Sequence, residues 1–251
     1  MLAELLGVRL TDALSDEPQR LSPHECRRVT AIIKTFERPS QVERLLTSLR
    51  RLFPLIQVIV ADDGRVSGHY SGARTIALPF NLGVSAGRRA ALAAVETEYT
   101  WVLDDDFVLY RRTRLARAVA ILDQCPRIDV LGGAVIDLPL GMKQASVDAI
   151  YPTRAAPVVP LGSLLGGVVV RDKVPNFFVA RTDRLRLVDW DPKLKRLDHA
   201  DFFTRARGVL VSTYDDEFRC LHAPTPFDRN YMKSRLDIEG DAALLHERYF
   251  A

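Results

Sequence analysis

The stretch WVLDDDFVL, residues 101–109, sets three aspartates inside an apolar run. A short continuous apolar segment of this kind reads as a buried strand. Inside such a strand carboxylates lose hydration and repel one another, unless they sit at its end or hold a cation. The run therefore predicts a strand that delivers acids to a site. Successive strand residues face opposite sides, so Asp104 and Asp106 are expected on one face and Asp105 on the other.

The flanking sequence repeats a pattern of strand and helix. Residues 29–34 (VTAIIK) are apolar and β-branched and stop at the polar turn Thr35-Phe36-Glu37-Arg38-Pro39. Ser40-Gln41-Val42-Glu43 predicts a capping box, and Val42, Leu45, Leu46, Leu49 and Phe53 recur at helical spacing before Pro54. Residues 56–61 form a second apolar run that leads straight into Asp62-Asp63-Gly64. A helix over 85–95, the strand of 101–109 and a helix opened by Thr113 follow. Such alternation predicts an α/β domain with right-handed crossovers and a mainly parallel central sheet, covered by helices on both faces.

Ligands of open sheets of this type bind beyond the carboxyl ends of the strands. Three strand ends carry polar residues here, at 35–38, at 62 and 63, and at 104–106, so one shared crevice is expected. The second half is less regular. It predicts a strand over 128–136 ending near Gly132-Gly133, a Gly-rich apolar stretch at 161–170, a strand at 176–181, a helix at 198–207, and short strands at 209–212 and 218–222.

Composition removes several classes. With 251 residues, 47% of them hydrophobic and 27% charged, the chain can bury a large single core. A net charge of +3 with dispersed arginines is too mild to argue for nucleic acid. No apolar run reaches the roughly 18 to 20 residues of a membrane-spanning helix, and residues 1–14 lack the features of a signal peptide. The expectation is a soluble, cytoplasmic protein. Cys26, Cys125 and Cys220 are odd in number and far apart, so neither a disulfide framework nor a zinc site is indicated. No GxxxxGK phosphate loop occurs, which argues against a P-loop enzyme.

The three acids admit other readings. A solvated acidic loop after a strand is the plain one. Asp-x-Asp-x-Val at 104–108 also satisfies the signature of the haloacid-dehalogenase phosphatases, in which the first acid, here Asp104, is the nucleophile. That family places this strand near its start, whereas two strand–helix units precede it here. Two acids on one side can instead hold a divalent cation through oxygen, as a nucleotide diphosphate substrate requires.

The ordered phrases KTFERP, SLRRLFP, VIVADD, AGR (residues 86–88), LDDDFV, LGGAV, NFFVART, DPKLKR and HADFF resemble nucleotide-sugar glycosyltransferases of the GT-A fold. They are most similar to the catalytic domain of β-1,4-N-acetylgalactosaminyltransferases of the GM2/GD2 synthase type. The resemblance covers about residues 29–223. It implies an N-terminal extension (1–28), a catalytic domain (29–223, nucleotide-binding half 29–136, acceptor-side half 137–223) and a tail (224–251) able to close over the site.

Residue roles follow from the resemblance. Thr35, Arg38 and Asp63 would line the uridine pocket, Arg88 would meet ribose and diphosphate, Asp104 the ribose, and Asp105 would organise the site. Asp106 and His222 would bind Mn²⁺ or Mg²⁺. Asp201 would be the general base of an inverting transfer from a UDP-sugar, carrying N-acetylgalactosamine or a related N-acetylhexosamine, to a glycan or glycolipid hydroxyl. Asp63, Asp106 and Asp201 should then open onto one cleft. The family commonly has Glu at 201 and Asn at 89, where this chain has Asp201 and Arg89. These departures keep a non-catalytic glycan-binding relative as an alternative. The amphipathic start (Leu2, Leu5, Leu6) and the basic tail (Arg229, Lys233, Arg235) are surfaces that can touch a membrane, though a solvated surface is the commoner meaning.

Overall fold

Val29, Ala31 and Ile33 enter one hydrophobic core and Ile32 enters another. A strand apolar on both sides must be sandwiched between layers. A computed structural model of the chain describes residues 21–144, 149–225 and 227–251. The amphipathic start at Leu2, Leu5 and Leu6 lies outside the described residues.

A short helix α1 (Pro23–Arg27) leads into β1 (Val29–Thr35), α2 (Pro39–Leu52), β2 (Gln57–Asp62), β3 (Arg74–Ala77), α3 (Val84–Ala93) and β4 (Tyr99–Asp104). Next come β5 (Phe107–Val108), α4 (Leu115–Gln124), β6 (Val130–Asp137), β7 (Met142–Lys143), β8 (Leu164–Leu165) and β9 (Val168–Val170). The chain finishes with β10 (Phe178–Arg181), α5 (Thr182–Val188), α6 (Asp198–Ala206), β11 (Ser212–His222), α7 (Arg229–Arg235) and α8 (Glu239–Phe250).

The strands form a single sheet in the order β3-β2-β1-β4-β10-β6-β11-β9-β8. Its β3-β2-β1-β4 half is parallel throughout, and β6 and β11 are parallel to each other. Between them lies β10, antiparallel to both β4 and β6. The predicted single domain with a mostly parallel central sheet and helices on both faces is what the chain forms. On one face Leu45 and Leu49 of α2 and Leu115, Val119 and Leu122 of α4 bury Trp101, Phe177 and Phe218. On the other, Ala91 and Leu92 of α3 and Phe202 and Phe203 of α6 cover Ile59, Val102 and Phe178. Among the described residues no helix is long and apolar enough to cross a membrane.

Four local expectations are corrected. The capping box at Ser40 does not form: Pro39 opens α2, Arg38 stands at the N-cap without a side-chain cap, and the Ser40 hydroxyl turns to Gln41. Proline's fixed φ starts the helix instead. The strict alternation over Asp104 to Asp106 is lost because β4 ends at Asp104, and Asp105 and Asp106 sit in a turn before β5. The two strands expected at 209–212 and 218–222 are replaced by one, β11, over Ser212–His222, with a register shift between Asp215 and Arg219. That irregularity lets the end of β11 run on along β6 as far as His222 opposite Asp137. Gly132 and Gly133 lie inside β6 rather than near its end. A Cβ on Gly133 would stand 2.2 Å from the Phe218 carbonyl oxygen, so the close approach of β11 there demands glycine.

Candidate active site

The carboxyl ends of β1 and β4 meet the last residue of β11 at a cleft of about 290 Å³. Asp104, Asp105 and Asp106 line it together with Arg38, Arg88 and His222. Lys34, Arg196, Asp198 and Tyr231 contribute further polar wall.

Arg38 follows β1 and is itself buried. Its Nη1 donates to Asp106 Oδ2 at 3.0 Å and its Nε to Asp105 Oδ2 at 3.2 Å, and Nη2 pairs with Asp105 Oδ1. Thr35 Oγ1 donates to the same Asp105 at 2.7 Å. The guanidinium lies over the Tyr231 ring of α7, 3.8 Å from its centroid. Burial pushes the Asp105 carboxyl up, with the Arg38 charge opposing and Asp106 adding to it. Thr35 is thus behind the acids rather than on the cleft wall.

Asp106 and His222 are far apart along the chain and meet because β5 pairs with β11. The Ala223 N–H donates to the Asp106 carbonyl at 2.9 Å, and His222 stands opposite Phe107. His222 Nε2 is 3.4 Å from Asp106 Oδ2, and its Nδ1 is 2.6 Å from Asp137 Oδ1. Burial alone would lower the ring's pKa, but hydrogen bonding and the charges of Asp106 and Asp137 outweigh it, so it is pushed up to about 9.

Asp106 and His222 are the residues that could hold a divalent ion, with Asp137 orienting the ring. Among the described residues, no group of three or more His, Cys, Asp or Glu makes a fuller cage.

Arg88 of α3 is buried and ties the other acids together. Its Nη2 donates to Asp104 at 2.5 Å and its Nη1 to Asp198 at 2.6 Å. Asp198 is the first residue of α6 and lies on the cleft wall. Burial raises its pKa, and the Arg88 charge holds it back.

The start of α3 is set by Gly83 at φ 109°, where a Cβ would meet Lys195 Cα at 2.6 Å. Residues 83 and 195 therefore pack backbone to backbone, and Val84 N–H donates to the Lys195 carbonyl at 2.9 Å. Arg196 donates to Asn81 Oδ1 at 2.5 Å and to the carbonyls of Ser234 and Lys195, both at 2.9 Å. Those acceptors are neutral, so Arg196 brings positive charge to the cleft with no carboxylate against it among them.

Of the residues singled out from sequence, the cleft gathers Arg38, Arg88, Asp104, Asp105, Asp106 and His222. Asp63 is not on its wall. Its carboxylate is fully buried and divided between Lys34 Nζ at 2.5 Å and Gly83 N–H at 2.8 Å, and Lys34 is what the cleft sees. Burial lowers the Lys34 pKa, against the attraction of Asp63.

Asp201 also fails to reach the cleft. Fully buried, it accepts from Arg205, one turn on along α6, at 2.8 Å, and from Arg248 at 2.6 Å and Tyr249 at 2.7 Å, both of α8. The physical reason is helical spacing: Asp198 and Asp201 are one turn apart but point to different neighbours. The expected meeting of Asp63, Asp106 and Asp201 on one cleft is therefore not what the chain forms. Arg89 is exposed and pairs with Asp189 at 3.4 Å, off the cleft wall, so that departure leaves the cleft untouched.

Sequence reading did not single out Lys34, Arg196, Asp198 or Tyr231. A lysine at the end of the apolar run VTAIIK was a legible signal for the first. Arg196 and Tyr231 reach the cleft through loop and tail contacts that no local pattern encodes.

With this geometry in view, similarity to known proteins is informative. Residues 30–140 match the family described as Glycosyl transferase family 2. The chain is 39% identical over 199 residues to human "Beta-1,4 N-acetylgalactosaminyltransferase 1", covering 72% of this chain and 36% of that protein. The Mus musculus protein "Beta-1,4 N-acetylgalactosaminyltransferase 2" is 35% identical over 191 residues, covering 73% of this chain and 37% of that one. The chain thus spans little more than a third of these relatives. Among solved structures, S. aureus TarS 1-349 in complex with UDP superposes with a TM-score of 0.59 at 18% identity, over 82% of this chain and 63% of that one. At that identity the likeness shows the fold, which is GT-A.

Proposed function

For a chain that carries a glycosyltransferase family 2 domain in a GT-A fold, we propose a divalent-metal-dependent, inverting transfer of a sugar from a UDP-sugar to a glycan or glycolipid hydroxyl. The observation that carries this is the meeting of Asp106 and His222 at 3.4 Å, on a cleft that also holds Arg88 and the neutrally bonded Arg196. Acids that attract a cation and arginines that attract phosphate stand side by side, as a nucleoside diphosphate bound through a metal requires.

In this reading Asp106 and His222 hold Mn²⁺ or Mg²⁺, which when bound offsets the charge of the diphosphate. Arg88 and Arg196 approach the diphosphate from α3 and from the segment before α6. Arg38, stacked on Tyr231, fixes Asp105 and Asp106 in place. Asp104 stands beside Arg88 and fits a ribose hydroxyl.

Asp198 takes the role of base. It is the acid of α6 that lines the cleft, and its raised pKa strengthens it as a proton acceptor. As the acceptor oxygen bonds to the anomeric carbon, its proton passes to the Asp198 carboxylate and the bond to the diphosphate oxygen breaks, so UDP leaves with the electron pair. The donor sugar most in keeping with the N-acetylgalactosaminyltransferase relatives is N-acetylgalactosamine or a related N-acetylhexosamine.

Calorimetry of UDP with Mn²⁺ against UDP with chelator, followed by turnover of a series of UDP-sugars, tests the reading. Metal-dependent UDP binding with hydrolysis or transfer of one UDP-N-acetylhexosamine is expected. UDP affinity unaffected by chelator removes the metal site, and binding without turnover of any donor leaves a glycan-binding protein.

A further inference from the structure

The last helix, α8, reaches back to the segment that presents Asp198. Asp241, in its first turn and 6% exposed, accepts three successive backbone N–H groups: Lys195 at 3.0 Å on Oδ1, and Arg196 at 2.6 Å and Leu197 at 2.8 Å on Oδ2. The next residue is Asp198. Leu197 stands at the N-cap of α6 without a side-chain cap, and the three N–H groups held by Asp241 belong to the residues that lead into the helix. From the opposite side the Lys195 carbonyl accepts from Val84 at the start of α3. The segment is held between the starts of two helices.

We propose that Asp241 is a positioning residue for sugar transfer: its carboxylate fixes the backbone of residues 195–197 and thereby the placement of Asp198 at the acceptor. This rests on the reading of Asp198 as the base. The geometry separates that role from simply docking α8. The far end of the helix has its own anchors, since Arg248 and Tyr249 both donate to Asp201 and Leu245 is buried. Arg196 likewise keeps side-chain bonds to Asn81 and Ser234. Loss of Asp241 therefore frees the backbone before Asp198 while leaving the helix in place. A displacement of that segment by about 1 Å is enough to cost on the order of 100-fold in rate.

Asp241→Ala and Asp241→Asn, in the full chain, are compared for turnover of UDP-N-acetylgalactosamine with Mn²⁺, thermal midpoint, and amide hydrogen exchange at residues 195–197. The expectation is a fall in kcat of about 100-fold for Asp241→Ala with donor KM little changed. Asp241→Asn, which keeps one acceptor oxygen, should fall between it and wild type. Exchange at 195–197 should quicken in the same order. A lowered midpoint with kcat preserved below the transition overturns the positioning role, and unchanged exchange overturns the clamp itself. Undiminished turnover in Asp198→Asn overturns the base assignment, an outcome the exchange readout keeps separate.

Discussion

Arg88 and Asp198 are joined by a 2.6 Å hydrogen bond between two side chains that are both buried, and the same guanidinium reaches Asp104 on its other arm. One cation therefore compensates acids from a strand end and from a helix start. Arg88→Ala leaves Asp198 buried without its counter-charge, which costs about 3 to 5 kcal/mol when a buried pair loses one member. The variant should melt earlier, and its UDP affinity should drop. Arg88→Lys, with a single ammonium where a fork spans two carboxylates, should recover only part of either loss. Scanning calorimetry and UDP titration give both values.

Asp198 and Asp201 separate cleanly by substitution. Asp198→Asn should keep metal-dependent UDP binding and lose on the order of 100- to 10,000-fold in transfer, the usual range for a removed acid–base group. Asp201→Asn should instead lower stability by about 1 to 3 kcal/mol, because Arg205, Arg248 and Tyr249 lose a shared buried acceptor. Its kcat should stay near wild type at temperatures below its melting transition. Turnover and melting curves measured on both variants decide which acid does which job.

The cation site can be probed one layer out. Asp137 touches His222 Nδ1 at 2.6 Å, while Asp106 faces the ring's Nε2. Asp137→Asn should weaken Mn²⁺-dependent UDP binding by about 10- to 100-fold, the loss expected when the partner of a ligating imidazole is changed. Asp106→Ala should abolish the dependence on metal altogether. Titrating Mn²⁺ at fixed UDP gives the comparison; equal Mn²⁺ requirements in all three proteins would move the ion elsewhere.

His199 gives a pH signature for stability. Burial pushes its pKa down to about 3, while its Nε2 donates to the Val174 carbonyl at 2.7 Å. The unfolded chain has an ordinary histidine near 6.5, so it binds more protons than the folded one between those values. This contribution is fully present above about pH 6.5 and is lost as pH falls toward about 3. Urea midpoints of wild type should fall more steeply from pH 7 to pH 4.5 than those of His199→Gln. Parallel slopes would deny His199 that part.

Much of the donor half was legible because its signals are local. Strands β1, β2 and β4 announce themselves by apolar runs, and the polar ends of β1 and β4 fall at the cleft by the general rule of open sheets. The residues that misled are those whose neighbours arrive from far along the chain. Asp201 carries the right letter on the right helix, yet Arg248 and Tyr249 claim it from one side while Asp198, a turn earlier, faces the cleft. Asp63 likewise ends an apolar run as expected, but the Lys34 side chain is interposed. The union of 212–222 into one strand was hidden because its polar middle, Asp215-Asp216-Glu217, looks like a turn and is a register shift.

The position of β10 has an effect on how the protein is made. Its residues, Phe178–Arg181, fill the sheet between β4 and β6, so the free edge of β4 stays unpaired until that part of the chain has been synthesised. A nascent chain on the ribosome can assemble β1, β2, β3 and β4 early, yet it presents one raw strand flank, with Trp101 beneath, throughout translation of the segment in between. Production of this protein should accordingly be most vulnerable to stalling or truncation before residue 178, where the half-built sheet offers that flank to its neighbours.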